Sequence, residues 1–186
     1  MKRIAAILCL VLMLTGCSGA RAELDRAMTL RAKLLAAQGV SFDSVITADY
    51  GDKTYTFSAS SKIDGQGNLS FTVQEPKSIA GITGTVSQTG GKLTFDDKAL
   101  AFDVLADGLV SPVSGPWLLM KTLRSGYLTS CGTEDGTLRL SIDDSYEDDA
   151  LHLDIWLNEE ELPRHGEILW QGRRILSVAV ENFRFL

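Results

Sequence analysis

The sequence predicts an α+β fold that is mostly β: a curved antiparallel sheet of about ten strands, a half-barrel, wrapped around two helices. Three observations carry this. From Val40 onward, apolar residues alternate with polar ones through most of the chain, the period of strands with one buried face. Gly, Asp and Asn clusters interrupt these runs at short intervals, as hairpin turns require. Only two segments, 23–38 and 111–126, space their apolar residues as helices do.

The first helix is expected from Glu23 to Gln38, with Gly39 as its stop. Leu24, Ala27, Met28, Leu34 and Leu35 share a face, and Arg31 falls within that stripe, so its charge must reach out along the aliphatic stem. Val40, Phe42, Ile46, Ala48 and Tyr50 then alternate with Ser41, Asp43, Thr47 and Asp49. After the Gly51-Asp52 turn, Tyr55, Phe57 and Ala59 alternate with Thr54, Thr56, Ser58 and Ser60. Asp64 to Asn68 makes the next turn, and Leu69, Phe71 and Val73 form the apolar face of a third strand that Pro76 ends. Ile82–Ser87, Lys92–Phe95 and Leu100–Val104 continue the meander, with Gly90-Gly91 between the first two.

The second helix opens at Ser111-Pro112, or alternatively at Gly115-Pro116, and stops at Gly126. Its core, Trp117-Leu118-Leu119-Met120 with Leu123, is strongly apolar. Further strands are expected near Tyr127–Ser130, Thr137–Asp143, Leu151–Leu157, Glu167–Trp170 and Arg174–Phe185. No repeat, low-complexity tract or linker divides the chain.

The N-terminus carries an address. Lys2 and Arg3 precede an apolar run from Ile4 to Leu14, 11 residues, well short of the roughly 20 that span a bilayer as a helix. Leu14-Thr15-Gly16-Cys17 follows directly, the layout of a bacterial lipoprotein signal. Residues 1–16 are therefore expected to leave as a signal peptide, with Leu14, Thr15 and Gly16 read by the peptidase. Residues 17–22 are expected to form a short lipidated tether acylated at Cys17, and 23–186 the half-barrel domain. The mature chain would sit on the extracytoplasmic face of the cell membrane, held there by lipid.

Losing Lys2 and Arg3 takes the net charge from −6 to −8. Such an acidic chain does not suit nucleic acid, and its overall charge offers no attraction to anionic headgroups. Cys9 leaves with the signal and Cys17 is blocked, so Cys131 is the lone thiol and no intrachain disulfide forms. Burial is its expected state, an intermolecular pair the alternative.

A sheet this wide, with two helices to cover it, must curl. Its concave side then either keeps a cavity for an apolar ligand or is packed solid by Trp117, Leu118 and Met120. The candidate lining residues are Phe42, Ile46, Phe57, Phe71, Phe95 and Phe102 from the sheet face, with Ile46 among them and Trp117 and Met120 from the covering helix. Trp156 points the other way, to the outer face, where it marks a partner surface or a second packing layer.

Signals for chemistry are weak. The acidic run Asp143–Asp149 reads as a solvated turn; calcium is the alternative, without the spacing of a known loop. His152 and His165 have no cysteine partners at metal-binding spacing, and Ser130-Cys131-Gly132 lies in no nucleophile elbow. The sequence assigns no catalytic residue, metal ligand or cofactor.

The order of these parts (lipidated start, helix, strands, apolar mid-chain helix, closing hairpins) resembles the LolA/LolB-like superfamily of lipoprotein carriers and acceptors. The segments Val73-Gln74-Glu75-Pro76-Lys77-Ser78-Ile79-Ala80-Gly81-Ile82, Lys92-Leu93-Thr94-Phe95 and Ser111–Gly126 are most similar to the GerS-like clostridial lipoproteins. The resemblance covers the mature chain. It implies a half-barrel wrapped around helices that binds acyl chains, a lipoprotein or an envelope protein partner, and performs no chemistry. Neither Arg31 nor Leu109 sits in a motif matching the carriers' functional Arg or the acceptors' Leu loop.

Overall fold

A computed structural model describes residues 18–106 and 109–186. Cys17, Leu14, Thr15 and Gly16 lie outside the described residues. Helix α1 (Ser18–Ala36) leads into β1 (Gly39–Asp49), β2 (Thr54–Asp64), β3 (Leu69–Glu75), β4 (Thr83–Ser87), β5 (Gly90–Phe95) and β6 (Lys98–Phe102). A two-stranded ribbon, β7 (Leu105–Ala106) and β8 (Leu109–Val110), and a 3-10 turn (Pro112–Ser114) carry the chain to α2 (Gly115–Ser125). Then come β9 (Tyr127–Glu134), β10 (Thr137–Asp143), β11 (His152–Leu157), β12 (Pro163–Trp170) and β13 (Arg173–Phe185).

Eleven strands form one antiparallel sheet in the order β6-β5-β4-β3-β2-β1-β13-β12-β11-β10-β9. The sheet is curved and does not close on itself. It consists of two meanders joined along β1 and β13, the first and last strands of the chain, with Ile46 opposite Val178 and Ala48 opposite Leu176. The register keeps the main apolar sets on the concave side: Phe42, Ile46 and Ala48 of β1, Phe57, Ala59 and Ile63 of β2, Leu140 and Ile142 of β10, Leu153 and Ile155 of β11. A slip of one residue would turn each set to water.

α2 fills the centre of the concavity. Trp117, Leu118, Leu119, Met120, Thr122 and Leu123 are all buried, and each large apolar side chain so removed from water contributes about 1.5–3 kcal/mol. Close approach requires Gly166 on β12, where a Cβ would lie 2.5 Å from Leu119 Cδ1. The helix also fixes the β2–β3 turn. Trp117 Nε1 donates to the Gly67 carbonyl at 2.9 Å, and the Arg124 guanidinium donates to the Gly65 carbonyl at 2.8 Å. Within that turn the Asp64 carboxylate accepts the Gln66 and Asn68 amides at 2.9 Å each.

α1 differs from its expected form in two ways. It is helical from Ser18, so residues 18–22 of the expected short tether lie in its first turns. Its apolar positions also divide: Ala27, Leu30 and Leu34 are buried, while Leu24, Met28 and Leu35 are exposed. The cause is Arg31. Its Nε donates to the Leu123 carbonyl at 2.8 Å and its Nη2 to the Gly126 carbonyl at 2.9 Å, at the C-terminal end of α2. Rather than reaching out to water, this side chain turns inward and sets the rotation of the helix about its axis. No helix among the described residues is long and apolar enough to cross a membrane.

Candidate functional site

The concave face has three zones: a filled centre, an uncovered wing and an open end. In the centre, Phe42, Ile46, Phe57, Phe71, Trp117 and Met120 are buried as members of one continuous core. Phe102 is half-buried, and Phe95 is exposed. Of the eight candidate lining residues, then, the structure packs six into the core and sets two in the wing.

The wing is the concave face of β4, β5 and β6. Phe71 lies opposite Gly84, Gly84 opposite Leu93, and Leu93 opposite Leu100, so these positions share one face. Phe95 and Phe102, two residues along their strands, continue it. Gly84 lets the Phe71 ring lie over the sheet, since a Cβ there would sit 2.5 Å from Phe71 Cζ. Neither helix extends over the tip: Phe95 is 53% exposed and Leu100 64%. An apolar path thus runs from the core at Phe71, past half-buried Leu93 and Phe102, into solvent.

The open end is a cavity of about 780 Å3 between α1 and the ends of β10–β13. Leu138, Leu157, Leu162, Pro163, Val180 and Phe183 supply its apolar wall, and Arg26, Arg164, Glu159, Glu160 and Glu181 its polar rim. Arg26 Nε meets Glu161 Oε1 at 2.7 Å, joining α1 to the β11–β12 loop beside the opening. Asn158 holds that loop, its Oδ1 accepting the amides of Glu160 and Leu162. Phe183 stacks on Phe42 with centroids 5.8 Å apart. The sequence signal for this end was slight, because a β-bulge between β1 and β13, with Asn182 at φ +53°, shifts the phase that places Phe183 inward.

The outer face of β10–β12 carries a polar ladder. Arg139 donates to both Asp154 carboxylate oxygens, at 3.2 and 2.8 Å, and Ser141 Oγ donates to Asp154 Oδ1 at 2.7 Å. Burial pushes the Asp154 carboxyl up, but the hydrogen bonds from Arg139 and Ser141 and the charges of Arg139 and His152 outweigh it and hold the group below its ordinary value. The Arg139 guanidinium lies over the Trp156 ring, 5.2 Å from its centroid, and Trp156 Nε1 donates to Glu134. Trp156 also packs beside His165. His152 pairs with Asp143 at 2.6 Å.

Among the described residues no group of three or more His, Cys, Asp and Glu side chains is placed to hold a metal ion. In the acidic run, Asp144 is engaged by the Leu151 amide and Lys121. Cys131 is half-buried rather than fully enclosed, because β9 is an edge strand. Burial and the nearby Glu23 carboxylate push its thiol up, away from the reactive thiolate.

No protein-family model matches the sequence, and no curated protein sequence matches it either. The fold is similar to that of several solved structures. A LolA superfamily protein from Nitrosomonas europaea is 10% identical, with a TM-score of 0.45 over 91% of this chain and 94% of the other. A putative outer membrane lipoprotein-sorting protein domain from Vibrio parahaemolyticus is 9% identical, with a TM-score of 0.48 over 86% and 90%. The Mycobacterium tuberculosis lipoprotein LppX is 12% identical, with a TM-score of 0.41 over 87% and 93%.

Proposed function

We propose that this chain is a non-enzymatic bacterial lipoprotein, anchored by acylated Cys17 to the extracytoplasmic face of a membrane, that binds an acyl chain or lipid on the concave side of its half-barrel. The observation that carries the reading is the uncovered wing. Leu93, Phe95, Leu100 and Phe102 present an apolar surface continuous with the core. Exposed apolar surface of this kind is costly in water unless something binds it. The large outward-facing polar area of the sheet offers nothing comparable to an apolar ligand.

A fluorescent C16 fatty acid titrated into the chain from Ser18 onward tests this. Saturable binding is expected, weakened at least tenfold in a Phe95→Asp/Leu100→Asp variant. Equal binding by both proteins, or none by either, sinks the proposal. A second reading, that of a GerS-like accessory lipoprotein that binds and regulates a cell-envelope or cell-wall enzyme, draws support from the outer-face cluster of Trp156 and Arg139, residue types that anchor protein interfaces. Photocrosslinks from position 156 to one envelope enzyme, with no fatty acid bound, favour that reading over the first.

A further inference from the structure

α1 carries an apolar ridge that the fold leaves in water. Leu24 is 43% exposed, Met28 47% and Leu35 56%. At 100° per residue these three lie within about 40° of one another, with exposed Arg21 and Ala32 on the same stripe. The helix cannot roll to bury them. Ala27, Leu30 and Leu34 already occupy the inward face, and the two hydrogen bonds of Arg31 to α2 fix the rotation.

What lies beyond the ridge is written in the chain. Cys17, the residue expected to be acylated, directly precedes Ser18, where α1 begins. Of the cations between Ser18 and Ala36, Arg26 pairs with Glu161 and Arg31 with the α2 carbonyls, which leaves Arg21 as the cation beside the ridge. The helix is continuous from Ser18, and Leu24 lies about 9 Å along its axis from Ser18 and Leu35 about 26 Å.

We infer that the ridge is a membrane contact. α1 lies along the bilayer surface, with Leu24, Met28 and Leu35 among the upper acyl chains and Arg21 at the headgroups. The inference rests on the reading of Cys17 as acylated, which places the helix start at the bilayer. It goes beyond that reading by fixing which side of the domain faces the lipid.

The test uses the full, membrane-expressed protein in a Cys131→Ser background, with one new cysteine labelled by bimane: Met28→Cys on the ridge, or Thr85→Cys on the outer sheet face as the control. Both are reconstituted in vesicles of phosphatidylethanolamine and phosphatidylglycerol doped with acyl-chain nitroxide. Quenching at position 28 at least twofold stronger than at 85 is expected. Equal, water-exposed signals overturn the proposal, and so does a probe at 28 shielded from both water and nitroxide, which marks a protein partner instead. The mass of the N-terminal peptide reports the anchor separately. An acylated peptide with an unquenched ridge refutes the contact alone, and an unacylated peptide with a quenched ridge refutes the anchor alone.

Discussion

Arg31 on α1 holds the carbonyl of Leu123 on α2 at 2.8 Å, across 92 residues of sequence. The last carbonyls of a helix have no intrahelical partner, and a cation there also meets the negative end of the helix dipole. One side chain thus caps the buried helix and orients the outer one.

Replacing Arg31 by Met keeps the aliphatic stem and removes the cap. Urea denaturation is expected to show a loss of about 1–3 kcal/mol, the cost of a missing charged hydrogen bond with its acceptors left buried. Arg31→Lys should recover only part of it, because an ammonium cannot repeat the planar two-point contact.

Thr122 makes the opposite case. Its hydroxyl is buried in the α2 core with no hydrogen-bond partner. Thr122→Val conserves shape and removes the unpaired group, so the melting temperature should rise, with a gain of about 1 kcal/mol.

At Gly84, an added methyl group would meet both the Phe71 ring at 2.5 Å and the Lys92 carbonyl at 2.7 Å. Gly84→Ala is expected to cost about 1–3 kcal/mol, as overpacking does. Shrinking the ring with Phe71→Leu should relieve part of that loss and leave the backbone part. A double-mutant cycle measured by denaturation then gives a coupling of clear sign.

Asp154 supplies a pH dependence. Its carboxyl is held below its ordinary value in the fold, so the stabilisation is complete above the unfolded value of about 3.9 and is lost as pH falls through the lower folded value. Asp154→Asn lacks this contribution at every pH. Melting temperatures of the two proteins, well separated at pH 6, should converge as the pH approaches 2.

Strand positions were legible because alternation is local: Phe57 and Ala59, or Leu69, Phe71 and Val73, announce their face within a few residues. The two-helix count followed from spacing for the same reason. The inward turn of Arg31 was not legible, since its partners Leu123 and Gly126 lie on another helix and nothing near residue 31 names them. The split of the α1 stripe follows from that contact and was hidden with it. The open end escaped because the bulge near Ser41 and Asn182 moves Phe183 out of simple alternation. Core and wing residues could not be told apart, because Phe71 and Phe95 share a pattern and differ only in the tertiary cover that buries one and leaves the other exposed.

The pairing of β1 with β13 has a consequence in time. Val40 lies opposite Phe185, so the seam at the middle of the sheet waits for the last residues of the chain. The β2–β6 meander and the β9–β12 hairpins are local and can form as they emerge, but they cannot be joined while the β13 strand is still being made. A chain made from the N-terminus therefore remains two separate halves until β13 is available. Pairing of β13 with β1 is the step that turns those halves into one sheet.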